Sequence, residues 1–246
     1  MNITIFAATD VGSTRAGNED AIAHSMTHGF AVLADGMGGH NAGEVASQQA
    51  IESVRDGILS FLGERQSSPT LDEARGFLKT HIQEQNGALY ALAGSNLSYA
   101  GMGCTLVVVW LIAEQALIAN VGDSRCYHLS QGVLKQVTRD HSFVQFQLDH
   151  GLITQDESKS DQAKNYLLRA MGTSNKVSPD FFVSDLQSGD VLVTCSDGLT
   201  EELSNEQLRE KIVEALRCDQ PAQALVKAAI DAGSRDNISV QLIHIG

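Results

Sequence analysis

Cys104-Thr-Leu-Val-Val-Val-Trp-Leu111 is the stretch that decides the fold. It is an apolar, β-branched run, the signature of a strand. Gln115–Val121 and Cys126–Leu129 follow it closely and continue an antiparallel meander. Upstream, Ala46, Ala50, Ile51, Val54, Ile58 and Leu62 recur at steps of three or four, which predicts a helix over 43–62. Leu71, Ala74, Leu78, Ile82, Gln85, Leu89 and Leu92 do the same over 71–93, with Pro69 just before the start. These two helices are expected to pack as an antiparallel pair on a sheet face. Residues 3–9 and 30–34 read as further strands. Downstream, 142–170 is mixed and polar with short helical pieces. A strand at 190–196, helices at 203–216 and 222–230, and a strand at 238–245 complete the chain. Two early helices, two late helices and many antiparallel strands predict a sandwich with helices outside and sheet inside.

The chain has 246 residues, 43% of them hydrophobic, enough for one large domain over 1–246. Its only prolines are Pro69, Pro179 and Pro221, and no linker-like stretch or internal repeat divides it. The net charge of -13, with 17 scattered Lys and Arg, argues against nucleic acid or an anionic membrane as partner. Cys104, Cys126, Cys195 and Cys218 are widely spaced, and three lie in or beside apolar runs, as expected of reduced, buried thiols. No apolar stretch approaches the roughly 18–20 residues of a membrane span. Ile3–Ala8 is too short for a signal core and lacks a basic leader. A cytoplasmic monomer is the expectation.

Carboxylates mark the ends of the strand-like runs. Phe30–Ala34 leads into Asp35-Gly36, Leu117–Gly122 into Asp123, and Val191–Ser196 into Asp197-Gly198. Asp236-Asn237 precedes Ile238–Ile243, and Asn18-Glu19-Asp20 lies near the N-terminus. If the strands lie side by side, these corners converge on one end of a sheet. Clustered anionic oxygens suit Mg²⁺ or Mn²⁺. The four charges of Asp20, Asp35, Asp197 and Asp236 balance two divalent cations, and without cations some of these groups would protonate. No Cys/His cluster suits zinc.

Each corner has a plainer reading. Asp35-Gly36 is also a common hairpin turn, and Asp197-Gly198 a turn or helix cap. Arg15, five residues before Asp20, is either a phosphate-binding guanidinium or a surface arginine. His40, after the glycine loop Gly36–Gly39, is either a proton donor to a leaving group or a hydrogen-bonded structural histidine. Gly122-Asp123-Ser124-Arg125 is either a turn with a local ion pair or the source of a further metal-binding carboxylate. Rival chemistries fail on spacing. There is no G-x-x-x-x-G-K-[ST], no G-x-S-x-G, and no cysteine with an arginine six positions later. The glycine loop does not make G-x-G-x-x-G, because position 41 is Asn.

Five stretches, in this order, resemble the protein phosphatase 2C family in its compact bacterial form: Arg15-Ala-Gly-Asn-Glu-Asp20, Asp35-Gly-Met-Gly-Gly-His40, Gly122-Asp-Ser-Arg125, Ser196-Asp-Gly-Leu199 and Arg235-Asp-Asn-Ile238. The resemblance implies an α+β, four-layer α-β-β-α sandwich, two central antiparallel sheets flanked by antiparallel helix pairs. It implies Mn²⁺- or Mg²⁺-dependent hydrolysis of phosphoserine and phosphothreonine in proteins, opposing a serine/threonine kinase and acting on that kinase or its substrates. Asp35 would bridge two metals, with the Gly36 carbonyl on one and Asp197 and Asp236 on the other. Asp20, with Glu19, would hold metal-bound waters, and Asp123 with Asp197 a weaker third ion. Arg15 would bind phosphate, and 142–170 would form a flap. A hydroxide bridging the metals would attack phosphorus in line without a phosphoenzyme, with water or His40 protonating the leaving oxygen. Cys104 stands where the family often has Thr, and reads as a packing residue. The competing readings are a phosphoprotein-binding module that kept the fold and a structural cation-binding protein.

Overall fold

The computed structural model describes residues 2–38, 42–158, 163 and 166–246. One sheet has the order β1-β11-β10-β7-β8, formed by Ile3–Asp10, Ile238–Ile245, Val191–Cys195, Arg125–Ser130 and Val133–Gln136. The second has the order β2-β3-β5-β6-β9, formed by Asp20–Ser25, Phe30–Met37, Leu106–Ile112, Gln115–Val121 and Asp180–Asp185. A short β4, Gly103–Cys104, also pairs with β3. Every strand pairing is antiparallel.

The period-2 alternation of the strands divides the core into three layers. Ala31, Val107, Val109, Ile118, Leu192 and Ile243 point between the two sheets. On the other face of the second sheet, Val32, Leu106, Val108 and Trp110 meet Ala50, Val54, Ile58, Leu78 and Ile82. These come from α1, Ala42–Gly63, and α2, Leu71–Ser95. On the far face of the first sheet, Val193, Val240 and Leu242 meet Leu208, Ile212, Leu225 and Ala229. Those helical residues belong to α6, Asn205–Ala215, and α7, Pro221–Ala232. The result is the four-layer α-β-β-α sandwich. Among the described residues between β8 and β9 lie two short helices, α3, Phe143–Asp149, and α4, Gln155–Ser158. A third, α5, Asp197–Thr200, follows β10.

Local chemistry sets the helix ends. Thr70 caps α2 in a reciprocal box with Glu73, and Ser204 caps α6 with Gln207. Pro221 takes the first turn of α7, where its missing N–H costs nothing.

The structure adds one pairing and changes two local readings. Asp20 opens β2 and pairs directly with Asp35 across β2 and β3. Asp35-Gly36 is no turn: β3 runs on through Met37, paired with β4. The predicted strand 104–111 is interrupted at Thr105, yet its register against β3 is continuous from Gly36↔Cys104 to Leu33↔Val107. At the missing rung the Asp35 N–H donates to Thr105 Oγ1 at 2.9 Å, so a hydroxyl replaces the usual backbone carbonyl.

Candidate metal centre

Antiparallel pairing brings the start of β2, the end of β3, the β6–β7 turn, the end of β10 and the start of β11 to one end of the sandwich. Asp20, Asp35, Asp123, Asp197 and Asp236 thereby come together from segments far apart in the chain.

Side-chain hydrogen bonds hold these corners. Asn237 is the main tie: its Nδ2 donates to the carbonyls of Val11 at 2.9 Å and Gly17 at 3.0 Å. Its Oδ1 accepts from the Glu19 N–H at 2.8 Å. Asn18 Oδ1 accepts from the Asp20 N–H at 3.1 Å. The Ser196 hydroxyl donates to Asp20 Oδ2 at 2.8 Å and accepts from the Ser239 N–H at 2.9 Å. Gly36 admits no side chain, because a Cβ there would stand 2.6 Å from the Glu19 carbonyl oxygen and 2.5 Å from the Gly43 carbonyl carbon. This lets the N-terminal end of α1 press against β3.

The electrostatics are those of crowded anions. Burial pushes the Asp20 carboxyl up to about 6, and the neighbouring Asp236 adds to the rise. Burial also raises Asp123 to about 6, with Asp140 contributing. Asp35 is raised well above the ordinary carboxylate range, first by burial and then by Asp20, Asp197 and Asp123. Asp197 is raised likewise by burial, Asp123 and Glu201. Buried Asp20 Oδ1 and Asp197 Oδ1 lack a hydrogen-bond partner. The nearby cation is Arg15, whose Nη2 donates to Asp236 Oδ2 at 2.6 Å while its side chain remains 55% exposed. Arg125 is committed elsewhere, forked onto Asp140 with contacts of 2.6–3.1 Å.

These residues fit hard divalent cations. Among the described residues no three His, Cys, Asp or Glu side chains form a ready-made cage. Mg²⁺ characteristically takes one or two carboxylates and keeps several waters, so a loose oxygen-rich site suits it. The orphaned oxygens of Asp20 and Asp197 supply the unmet acceptor capacity that such ions and their waters fill. A cleft of about 610 Å³ opens beside Asp123 and Asp197, walled by Asp140, Gln145, Thr200 and Glu202.

The predicted site residues Arg15, Glu19, Asp20, Asp35, Gly36, Asp123, Asp197 and Asp236 all lie at this end; His40 lies outside the described residues. Thr105, Ser124 and His141 escaped the sequence reading. Thr105 was legible only as one polar residue within an apolar run. Cys104 is fully buried, its Sγ near the Ala46 carbonyl at 3.6 Å, which agrees with a packing role.

The Protein phosphatase 2C family model matches residues 13–232. The serine/threonine phosphatase stp of Listeria monocytogenes is 37% identical over 239 residues, covering 96% of this chain and 93% of that protein. The solved S. agalactiae serine/threonine phosphatase superposes with a TM-score of 0.90 at 36% identity, over 99% of this chain and 100% of that one. The catalytic domain of the serine threonine protein phosphatase PstP, solved with two manganese ions, gives 0.83 at 31% identity and 99% coverage of both chains. With its acidic corners gathered at one end of the sandwich, the chain belongs to the protein phosphatase 2C family.

Proposed function

We propose that this phosphatase removes phosphate from phosphoserine and phosphothreonine in proteins with the help of two divalent cations. The observation that carries the reading is the gathering of Asp20, Asp35, Asp197 and Asp236, the first three raised by burial and then by neighbouring carboxylates, with one oxygen each of Asp20 and Asp197 unpartnered. Asp35 with the Gly36 carbonyl, Asp20, Asp197 and Asp236 would hold two ions, with Glu19 beside them. Asp123 and Asp197 would hold a weaker third. When bound, Mn²⁺ or Mg²⁺ supplies an acidified water and positive charge opposite the phosphoryl oxygens.

The chain's own residues do the rest. Arg15, 55% exposed, would exchange Asp236 for two phosphate oxygens, a bidentate contact that fixes phosphorus for in-line attack by water. The buried thiols of Cys104, Cys126 and Cys195 are pushed up by burial, so none offers a thiolate nucleophile, and no phosphoenzyme is needed. His40 remains the sequence-based candidate for protonating the departing oxygen. Residues 142–170 are the candidate flap; Ser142, Val144, Gln145 and Leu148 line the cleft, and 159–162 and 164–165 lie outside the described residues. The reading extends to a cytoplasmic monomer in signal transduction that opposes a serine/threonine kinase; the relatives named serine/threonine phosphatases support its substrate class.

Phosphate release from a phosphothreonine peptide, first in chelator and then with Mn²⁺, tests the proposal. Activity should appear only with metal and vanish in Asp197→Ala. A folded, Mn²⁺-treated wild type without activity would shift the reading to a phosphoprotein-binding module.

A further inference from the structure

We propose that His141 is a positioning residue that sets the Gly122–Asp123 turn and ties it to the base of the 142–170 segment, resting on the reading of Asp123 as a metal-binding carboxylate. His141 is 3% exposed and grips Gly122 at two points. Its Nδ1 accepts from the Gly122 N–H at 3.1 Å, and its own N–H donates to the Gly122 carbonyl at 2.9 Å. The peptide groups on both sides of Gly122 are thus anchored by one residue immediately before Asp123. Gly122 itself has φ +103, a conformation other residues rarely adopt, so the turn has little freedom.

The same residue is held from the far side of the segment. The His141 carbonyl accepts from the Leu168 N–H at 2.7 Å, and the Phe143 N–H donates to the Tyr166 carbonyl at 2.8 Å. His141 Nε2 faces Asp180 Oδ2 at 3.2 Å, and Arg169 Nη1 donates to Asp180 Oδ1 at 2.7 Å. With Nδ1 accepting, the ring proton sits on Nε2, toward Asp180. The docked 166–169 segment therefore fixes Asp180 and the His141 backbone, and His141 fixes the turn.

An equivalent two-point grip holds the opposite corner. Thr105 Oγ1 accepts from the Asp35 N–H at 2.9 Å, and the Thr105 N–H donates to the Asp35 carbonyl at 2.8 Å. The two grips meet through Ser124, whose hydroxyl lies 2.7 Å from Thr105 Oγ1 in full burial. Asp35 is thus tied to Thr105 and Thr105 to Ser124, the backbone of the turn joins Ser124 to Gly122, and His141 grips Gly122 while its ring faces the partly exposed Asp180–Arg169 pair.

Calorimetric titration of the full chain with Mn²⁺, alongside kcat and KM on a phosphothreonine peptide, tests this. His141→Ala is expected to weaken the weakest Mn²⁺ step and lower kcat/KM by about 10- to 100-fold, the usual effect of losing an outer partner of a ligand. His141→Asn, whose Oδ1 stands near the Nδ1 position, should recover most of both losses. Asn no better than Ala, or Ala indistinguishable from wild type in both measurements, overturns the proposal. Should His141→Ala not fold, Asp180→Asn carries the test: a weakened Mn²⁺ step upholds the tie and a wild-type step refutes it. A wild type that binds Mn²⁺ but releases no phosphate refutes the proposed function while the binding arm still judges His141. A wild type that binds no Mn²⁺ overturns both.

Discussion

Gly36→Ala is expected to cripple the site through packing alone. The new Cβ would meet the Gly43 carbonyl oxygen first and stand 2.5 Å from its carbonyl carbon, where ordinary contact begins at 3.4 Å, so β3 and the N-terminal end of α1 must part by at least 0.9 Å. The opposing atoms are backbone, from Gly43 and Glu19, and cannot rotate away. Overpacking of this kind costs about 1–3 kcal/mol, offset by about 0.4–1 kcal/mol from the stiffer unfolded chain. The net loss should be about 1–2 kcal/mol. Because Asp35 is the preceding residue, a shift of nearly 1 Å should lower kcat/KM by about 100-fold. Gly76→Ala is the control: it lies exposed within α2 with nothing near its would-be Cβ, and should stabilise by about 0.5–1 kcal/mol without touching activity. Urea unfolding at constant m reads the first quantity and peptide dephosphorylation the second. A Gly36→Ala protein with the wild-type midpoint and wild-type kcat/KM would refute the packing argument, and lost stability with intact kcat/KM would break its link to the site.

Saturation with Mn²⁺ at about 100 times its Kd should stabilise by about 2.7 kcal/mol and raise Tm by about 5–10 °C in thermal scans, against no change for Asp35→Asn. Asp20 and Asp123 are raised to about 6, so between about pH 4 and 6 the folded chain binds more protons than the unfolded one. In chelator, stability should therefore rise as pH falls from 7 toward 5, with the buried, down-shifted His141 opposing by one group; urea midpoints across that range would show it, and a monotonic fall would contradict it. Arg15→Ala should lower kcat/KM by about 10- to 100-fold, chiefly through KM, with Arg15→Lys recovering only part because an ammonium cannot fork onto two oxygens. Steady-state kinetics on the phosphopeptide decide this, and an unchanged KM would return Arg15 to the role of a partner for Asp236.

Much of this protein was legible in its sequence, because its signals are local. The helices over 43–62 and 71–93 are written in three- and four-residue steps, and the strands around Val107 and Leu192 in β-branched runs. The acidic residues stand beside those runs, so their convergence follows once the strands are adjacent. Three features needed the tertiary structure. Asp20 and Asp35 face each other only because β2 and β3 pair in one register, which no property of Asn18-Glu19-Asp20 specifies. Asp35-Gly36 reads as a turn in isolation, and continues as strand because β4 and the Thr105 hydroxyl complete its ladder from about 70 residues away. The grip of His141 on Gly122 and the Ser124–Thr105 contact join residues 19 apart in each case, through polar side chains whose partners are set by folding. Periodicity and composition report what one segment needs to bury. The identity of the atom that satisfies a buried polar group depends on which segments the whole fold brings together, and that was decided only in three dimensions.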